Sequence, residues 1–216
     1  MSIQDTFGQT GVSLWQKFIA DEELTEVQAH RFEEYLLLLI EWNKKTNLTR
    51  IIDLPDVIAY HFQDSIAVRK FVDLGARKGI ADVGAGGGFP GIPLHILYPD
   101  VPMVLIEVNL KKVAFLQDVI EKLQLKNCQI STLDWRTFLR TESYALDLFC
   151  ARASLKPDEL IRIFKPGCPY KNSLLIYWAS AQWKPEETEA HYLIQTEKYH
   201  VDSKSRGFAF FSDKKV

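Results

Sequence analysis

"ADVGAGGGFPG", residues 81–91, packs five glycines and a proline behind an apolar entry that carries one acid, Asp82. Upstream stands the apolar "GI" of residues 79–80, and downstream "IPLHIL" has the texture of a helix. A strand that runs through a glycine-rich turn into a helix is the opening unit of a doubly wound sheet, whose ligands sit beyond the carboxyl ends of the strands. Gly86, Gly88 and Gly91 satisfy G-x-G-x-x-G, a pattern too common to choose a ligand by itself.

Outward from that turn the pattern repeats. "VPMVLIEV", "NCQIST", "ALDLFCAR" and "SLLIYWA" read as strands, with helices beginning after residues 90, 110, 134 and 156. Alternating strand and helix predicts a mostly parallel sheet covered on both faces. "LIQTEKYHV" and "GFAFFSD" lie close together near the end, as an antiparallel finishing pair would. The expected fold is α/β, a doubly wound, mostly parallel seven-stranded sheet. Before residue 70 the texture is helical: "SLWQKFIA", then "LTEVQAHRFEEYLLLLIEWNKKTNL" with apolar positions Val27, Phe32, Tyr35, Leu36, Leu39 and Trp42, then "LPDVIAYHFQDSIAVRKFV". Thr25 and Gln28 make a capping box for the long helix, and a break is expected from Asn47 to Pro55. The division is an N-terminal helical region, 1–70, and a Rossmann-like domain, 71–216.

Composition narrows the partners. The chain has 216 residues, 47% of them hydrophobic, and a formal net charge of −2, enough for a full core and too little positive charge for avid, sequence-blind binding to nucleic acid. Cys128, Cys150 and Cys168 are odd in number and show no C-x-x-C, so neither a disulfide framework nor a metal site is expected. "MSIQDTFGQTG" lacks a basic, apolar leader and "YLLLLI" is too short to cross a bilayer. A soluble, cytoplasmic monomer with no membrane partner is the expectation.

The ligand is narrowed by acids. Asp82 lies inside the end of the first strand, where it would repel a phosphate but suit ammonium and sulfonium groups, as in S-adenosylmethionine. Glu107 ends the second strand, placed to accept from two ribose hydroxyls, a position a nicotinamide dinucleotide would also use. Asp134 with Trp135 ends the third strand, a carboxylate for an adenine amine beside an aromatic wall. Each has a plainer reading: a glycine turn with no ligand, Glu107 as a surface acid, Asp134 as a helix cap, Trp135 as core. Three acids after three successive strands favour the cofactor reading.

"DVGAGGGFPGIPLHILYPDVPMVLIEVNLKKVAFLQDVIEKLQLKN", residues 82–127, resembles the RsmG (GidB) family of bacterial 16S ribosomal RNA methyltransferases. "EWNKKTNLT" (41–49), "HFQDSI" (61–66), "ARA" (151–153) and "SRGFAFF" (205–211) are similar to other motifs of that family, so the resemblance runs from about residue 20 to 212. It implies a class I methyltransferase that moves a methyl group from S-adenosylmethionine to N7 of a guanine in 16S rRNA or the small ribosomal subunit. By position it implies that Gly84 and Phe89 line the cofactor pocket, that Trp135 and Arg136 flank the adenine, and that Arg152 reaches the cofactor, with Glu107 standing where the family usually has Asp for the ribose. Asp82, Gly86, Gly88 and Asp134 complete the expected cofactor set from the reading of the strand ends.

Guanine N7 carries a free lone pair, so the transfer needs placement rather than a general base. For RNA the candidates are Lys44, Lys45, Arg50, His61 and Arg206, beside Asn43 and Asn47. Solvated lysines, a helix stop at Asn47, and a His61–Asp64 hydrogen bond pinning the two regions are their structural alternatives. Tyr177 and Trp178 stand where the family carries a lysine, and "FKPGCPYKNS" is expected to be a rigid loop near the pocket. A related methyltransferase with a shifted RNA target or weak activity, and a NAD-dependent oxidoreductase resting on the G-x-G-x-x-G match, are the competing functions.

Overall fold

The computed structural model describes residues 2–213. Seven strands form one sheet in the order β3-β2-β1-β4-β5-β7-β6. They are β1 (Ile80–Val83), β2 (Met103–Ile106), β3 (Cys128–Ser131), β4 (Leu148–Arg152), β5 (Leu174–Ser180), β6 (Leu193–Val201) and β7 (Lys204–Phe211). The first five are parallel, and β7 runs antiparallel to both β5 and β6. This is the sheet expected from the alternating texture, and its order reverses at β1, where the glycine turn leaves the strand.

Period-two alternation divides β1 between two cores. Ile80 joins one apolar cluster and Ala81 and Val83 the other. α5 (Gly91–Leu97) and α6 (Leu110–Lys122) cover the first face, while α7 (Trp135–Thr141), α8 (Pro157–Leu160) and the 3-10 turn Ile161–Phe164 cover the second. The N-terminal helices lie over the first face, and their Phe18, Phe32, Tyr35 and Phe62 share one cluster with Phe89 and Phe115.

The helical region departs from its expected outline in three places. α1 (Ile3–Asp21) begins well before "SLWQKFIA", because Ser2 and Asp5 form a reciprocal capping box and Ile3 is buried, even though Gly8 kinks the helix with φ 65°. α2 (Glu26–Thr46) starts at the expected Thr25–Gln28 box and stops at left-handed Asn47, but Val27 is 61% exposed and Ala29 takes the buried position. The third segment is not one helix. α3 (Leu54–Val57) opens into a π-helical turn, Ile58–Gln63, before α4 (Asp64–Ile66) and a 3-10 turn, Ala67–Lys70. Such wide turns free backbone groups and often mark functional positions.

The segment 164–173 is also displaced from its expected place. It enters β5 at Leu174, which pairs with Leu148 at the start of β4, so it lies at the amino ends of the strands, away from the glycine turn. A helix-to-strand connection in a doubly wound sheet falls on that edge, and Tyr170 Oη accepts there from the Tyr144 N–H at 3.1 Å. Among the described residues no helix is long and apolar enough to cross a membrane.

Candidate functional site

The glycine turn is sewn to its neighbouring strand before it leaves the sheet. The N–H groups of Gly84 and Ala85 both donate to the Ile106 carbonyl, at 2.8 and 3.0 Å. Gly84 has φ +72°, and a Cβ there would stand 2.5 Å from the Ser154 Cβ, so neither the backbone nor the space admits another residue. Gly86 has φ +61°, yet a Cβ would meet nothing nearer than the Gly84 carbonyl at 3.7 Å. Its surface is open, a cradle that a side chain would fill. Gly88 lies beneath, and the Tyr35 hydroxyl closes the underside by donating to the Gly87 carbonyl.

Glu107 braces this turn from the end of β2. One carboxylate oxygen accepts from the Gly86 N–H at 2.8 Å and the other from the Asn109 N–H at 2.8 Å. Each oxygen keeps a second lone pair. Asp82 faces the other way from the sequence expectation. It is fully buried, accepts the Gly91 N–H at 2.8 Å through Oδ2, and leaves Oδ1 without a hydrogen-bond partner. Burial lifts this carboxyl to about 7, against the pull of the Gly91 N–H and Arg152. Asp82 therefore ties β1 to the first residue of α5 from behind the turn, and does not stand on the cavity wall.

Across a cavity of about 300 Å³, lined in part by Gly84, Gly86 and Phe89, stands a second wall built from side chains. Arg152, at the end of β4, donates through Nη1 to the Tyr60 carbonyl and to Asp64 Oδ2, both at 2.8 Å, and its Nη2 lies 3.3 Å from His61 Nδ1. The guanidinium lies 5.1 Å from the Phe89 ring centre, and His61 stacks on the same ring at 4.2 Å. Burial and the adjacent Arg152 push His61 down to about 3, so it is neutral near pH 7. His61 and Asp64 are thus joined through Arg152 rather than to each other, and the 7% exposed His61 belongs to the cavity and not to an outer RNA-facing surface.

Asp64 is the hub of this wall. Its Oδ1 accepts from the Tyr199 hydroxyl at 2.7 Å and lies 3.8 Å from Arg206 Nε, while its carbonyl accepts the Trp178 indole N–H at 2.9 Å. Burial and the Asp64 charge raise the Tyr199 phenol far above its ordinary value. Trp178, the aromatic in the place of the family lysine, is 7% exposed and meets Phe208 edge to face. It holds Asp64 from within the core and offers nothing to a ligand.

The remaining candidates stand apart. Asp134 is exposed and caps α7, accepting the N–H groups of Arg136 and Thr137 at 3.0 and 3.1 Å. Trp135 is 5% exposed, with its indole N–H given to the Glu159 carbonyl at 3.1 Å. Arg136 makes a two-pronged pair with Glu159 at 2.7 and 2.9 Å. Lys44, Lys45 and Arg50 are exposed beside the helix end, and Arg206 lines the cavity. Sequence reasoning passed over Thr49, Tyr60 and Lys112, which line the same cavity. Only the position of Thr49 at the end of "EWNKKTNLT" carried any signal.

Comparison with known proteins agrees with this geometry. Residues 28–209 match the family model GidB, rRNA small subunit methyltransferase G. A ribosomal RNA small subunit methyltransferase G from Staphylococcus aureus (strain bovine RF122 / ET3-1) is 37% identical over 175 residues, covering 80% of this chain and 72% of that protein. Two solved structures share the fold. One is a candidate O-methyltransferase from Klebsiella pneumoniae, with TM-score 0.59 at 13% identity, covering 93% and 96% of the two chains. The other is MtNAS in complex with MTA and tNA, with TM-score 0.58 at 14% identity, covering 87% and 75%. The class I methyltransferase fold, the strand-end cavity and the match over residues 28–209 agree: this chain belongs to the GidB family, rRNA small subunit methyltransferase G.

Proposed function

We propose that the chain transfers the methyl group of S-adenosylmethionine to N7 of a guanine in small-subunit ribosomal RNA. The observation that carries this reading is the cavity between the Gly84–Gly86 turn and the Arg152 wall, in a chain whose family acts on small-subunit rRNA. Bound there, S-adenosylmethionine would supply a methyl group activated by its sulfonium.

The residues present fit that cofactor. The open face of Gly86 admits a ligand against bare backbone, and the spare lone pairs of Glu107 suit a pair of ribose hydroxyls. Asp134 at the α7 N-cap would accept from the adenine amine, with Trp135 and Arg136 fixing that turn through Glu159. Asp82 and Gly88 act from below, holding the shape of the turn. Phe89 lies under Arg152 and against His61, and so fixes both side chains at the cavity.

No protein group has to remove a proton, since N7 attacks with its own lone pair. What the chain contributes is placement of that atom about 3 Å from the methyl carbon. Arg206 lines the cavity, and Lys44, Lys45 and Arg50 are exposed at and just after the end of α2; all four would hold RNA phosphates. The helical region 1–70 thus supplies the RNA-facing rim and 71–216 the cofactor side. We take the chain as a cytoplasmic monomer. Mass mapping of small-subunit rRNA from cells lacking the gene tests the reading. One 7-methylguanosine should vanish and return on complementation; an unchanged modification pattern overturns it.

A further inference from the structure

The wall facing the glycine turn contains a hydroxyl, that of Thr49, whose hydrogen-bond partners can be counted. Thr49 Oγ1 lies 2.9 Å from His61 Nε2 and accepts the Ile51 N–H at 3.0 Å. We assign the direction of the His61 contact from the far side of the ring, by the tautomer that keeps the Arg152 hydrogen bond. Arg152 can only donate, so His61 Nδ1, 3.3 Å from Arg152 Nη2, is the accepting nitrogen. The neutral imidazole then carries its hydrogen on Nε2 and donates to Thr49. Both lone pairs of Thr49 Oγ1 are taken, one by His61 and one by Ile51. Its own O–H remains a donor, and among the described residues no acceptor for it is found.

Thr49 is half-buried and lines the cavity with Gly84, Gly86 and Phe89. It is held there rigidly: Asn43 donates to the Thr49 carbonyl and accepts the Thr49 N–H, both at 2.9 Å. It belongs to the connection between α2 and α3 and lines the cavity together with the glycine turn, Arg152 and Arg206. We propose that the Thr49 hydroxyl donates to O6 of the target guanine and so selects guanine over bases that lack an acceptor beside N7. This rests on the methyl-transfer reading above.

The chemistry fits the base edge. Guanine presents O6 and N7 side by side as two acceptors, whereas adenine presents an N6 amino donor beside N7. Thr49 cannot turn its hydroxyl around to accept from that amine without giving up the His61 or Ile51 hydrogen bond. An adenine would therefore set donor against donor, with the Arg152–His61 arrangement keeping Thr49 in the donating state. Asp64, which holds Arg152, is a positioning residue for this relay.

The test compares guanine with 2-aminopurine, which keeps N7 and lacks O6, ligated into small-subunit rRNA at the accepting position. Methyl transfer from labelled S-adenosylmethionine is measured for the full-length wild type, Thr49→Val and Thr49→Ser. Cofactor affinity and melting temperature are measured in parallel. The wild type should favour guanine by tenfold or more, on the order expected when a site loses a required hydrogen-bond partner. Thr49→Val should bring the ratio down by that factor with cofactor affinity unchanged, and Thr49→Ser should keep it. A wild type that uses both bases equally overturns the proposal without any variant. So does a Thr49→Val protein that slows both bases alike, or that loses transfer only because cofactor binding falls. A wild type that binds cofactor but methylates no guanine overturns the parent reading, and this one with it.

Discussion

The two walls of the cavity are built by different means. The sheet wall is backbone: glycines at left-handed φ, their N–H groups taken up by Ile106, Glu107 and Ala85, with little side chain between the loop and a ligand. The opposite wall is side chain upon side chain, with Arg152, Asp64, Tyr199, Trp178 and His61 holding one another across elements far apart in the chain. A backbone wall tolerates almost no substitution but needs no partner elsewhere. A side-chain wall tolerates change at its margins and fails at its hub.

The sharpest break in the first wall is Gly84→Asp. Its Cβ would overlap Ser154 at 2.5 Å, and φ +72° is costly for any other residue. Titration with S-adenosylmethionine should show affinity reduced by about 100-fold or more, near 2.7 kcal/mol. Near-normal affinity would show that the turn is not the cofactor wall.

The hub of the second wall is the buried Asp64, and Asp64→Ala leaves the half-buried Arg152 without its counter-charge. Denaturant unfolding should register a loss of about 3–5 kcal/mol, with Asp64→Asn losing less. A loss under about 1 kcal/mol would place Asp64 among ordinary surface pairs and dissolve the contrast between hub and margin.

Asp82 tests the backbone wall from behind. Its carboxyl stands at about 7 against an ordinary 3.8, so the folded chain holds this proton more tightly than the unfolded one. Stability from this group is complete at low pH and is lost as pH rises from about 4 through 7. His61, held down to about 3 from 6.5, acts in the opposite sense over its own window, adding stability as pH rises. Asp82→Asn removes only the first effect. The melting temperature of the variant minus that of the wild type, both without cofactor, should climb by about 10 °C between pH 4 and 7 and level off by about pH 8. A flat difference would mean that Asp82 ionises in the fold as readily as in water.

The smallest effects belong to the outer rim. Replacing Lys44, Lys45 and Arg50 by alanine should leave stability within about 0.5 kcal/mol, as these side chains are exposed. RNA affinity should weaken, with the salt slope falling by about one for each lost phosphate contact. An unchanged slope would move RNA binding to another face.

The same contrast explains what could be read in the chain. The glycine turn, the alternation of strand and helix and the Thr25–Gln28 cap are local patterns, each spelled within a short stretch of chain. The Asp64 hub joins residues 88 and 135 positions away in the chain, and no spacing in the sequence announces them. Asp82 was visible as an acid in the right strand, but the direction of its carboxylate depends on where Gly91 lies, which only the packed turn decides. Trp178 was legible as a departure from the family and illegible as a core donor to the Asp64 carbonyl. The early start of α1 was hidden because Gly8 and Gly11 lower helix propensity, while the burial of Ile3 and the Ser2–Asp5 cap restore it.

One measurement reaches both walls at once. Purified protein is incubated with S-adenosylmethionine labelled in its methyl group and with undermethylated small subunits or naked small-subunit rRNA, and the RNA is digested and the labelled nucleoside identified. Label recovered as 7-methylguanosine at a single position, and absent with Gly84→Asp, is the predicted result. Label on another atom or base, or none from folded protein that binds the cofactor, would contradict it.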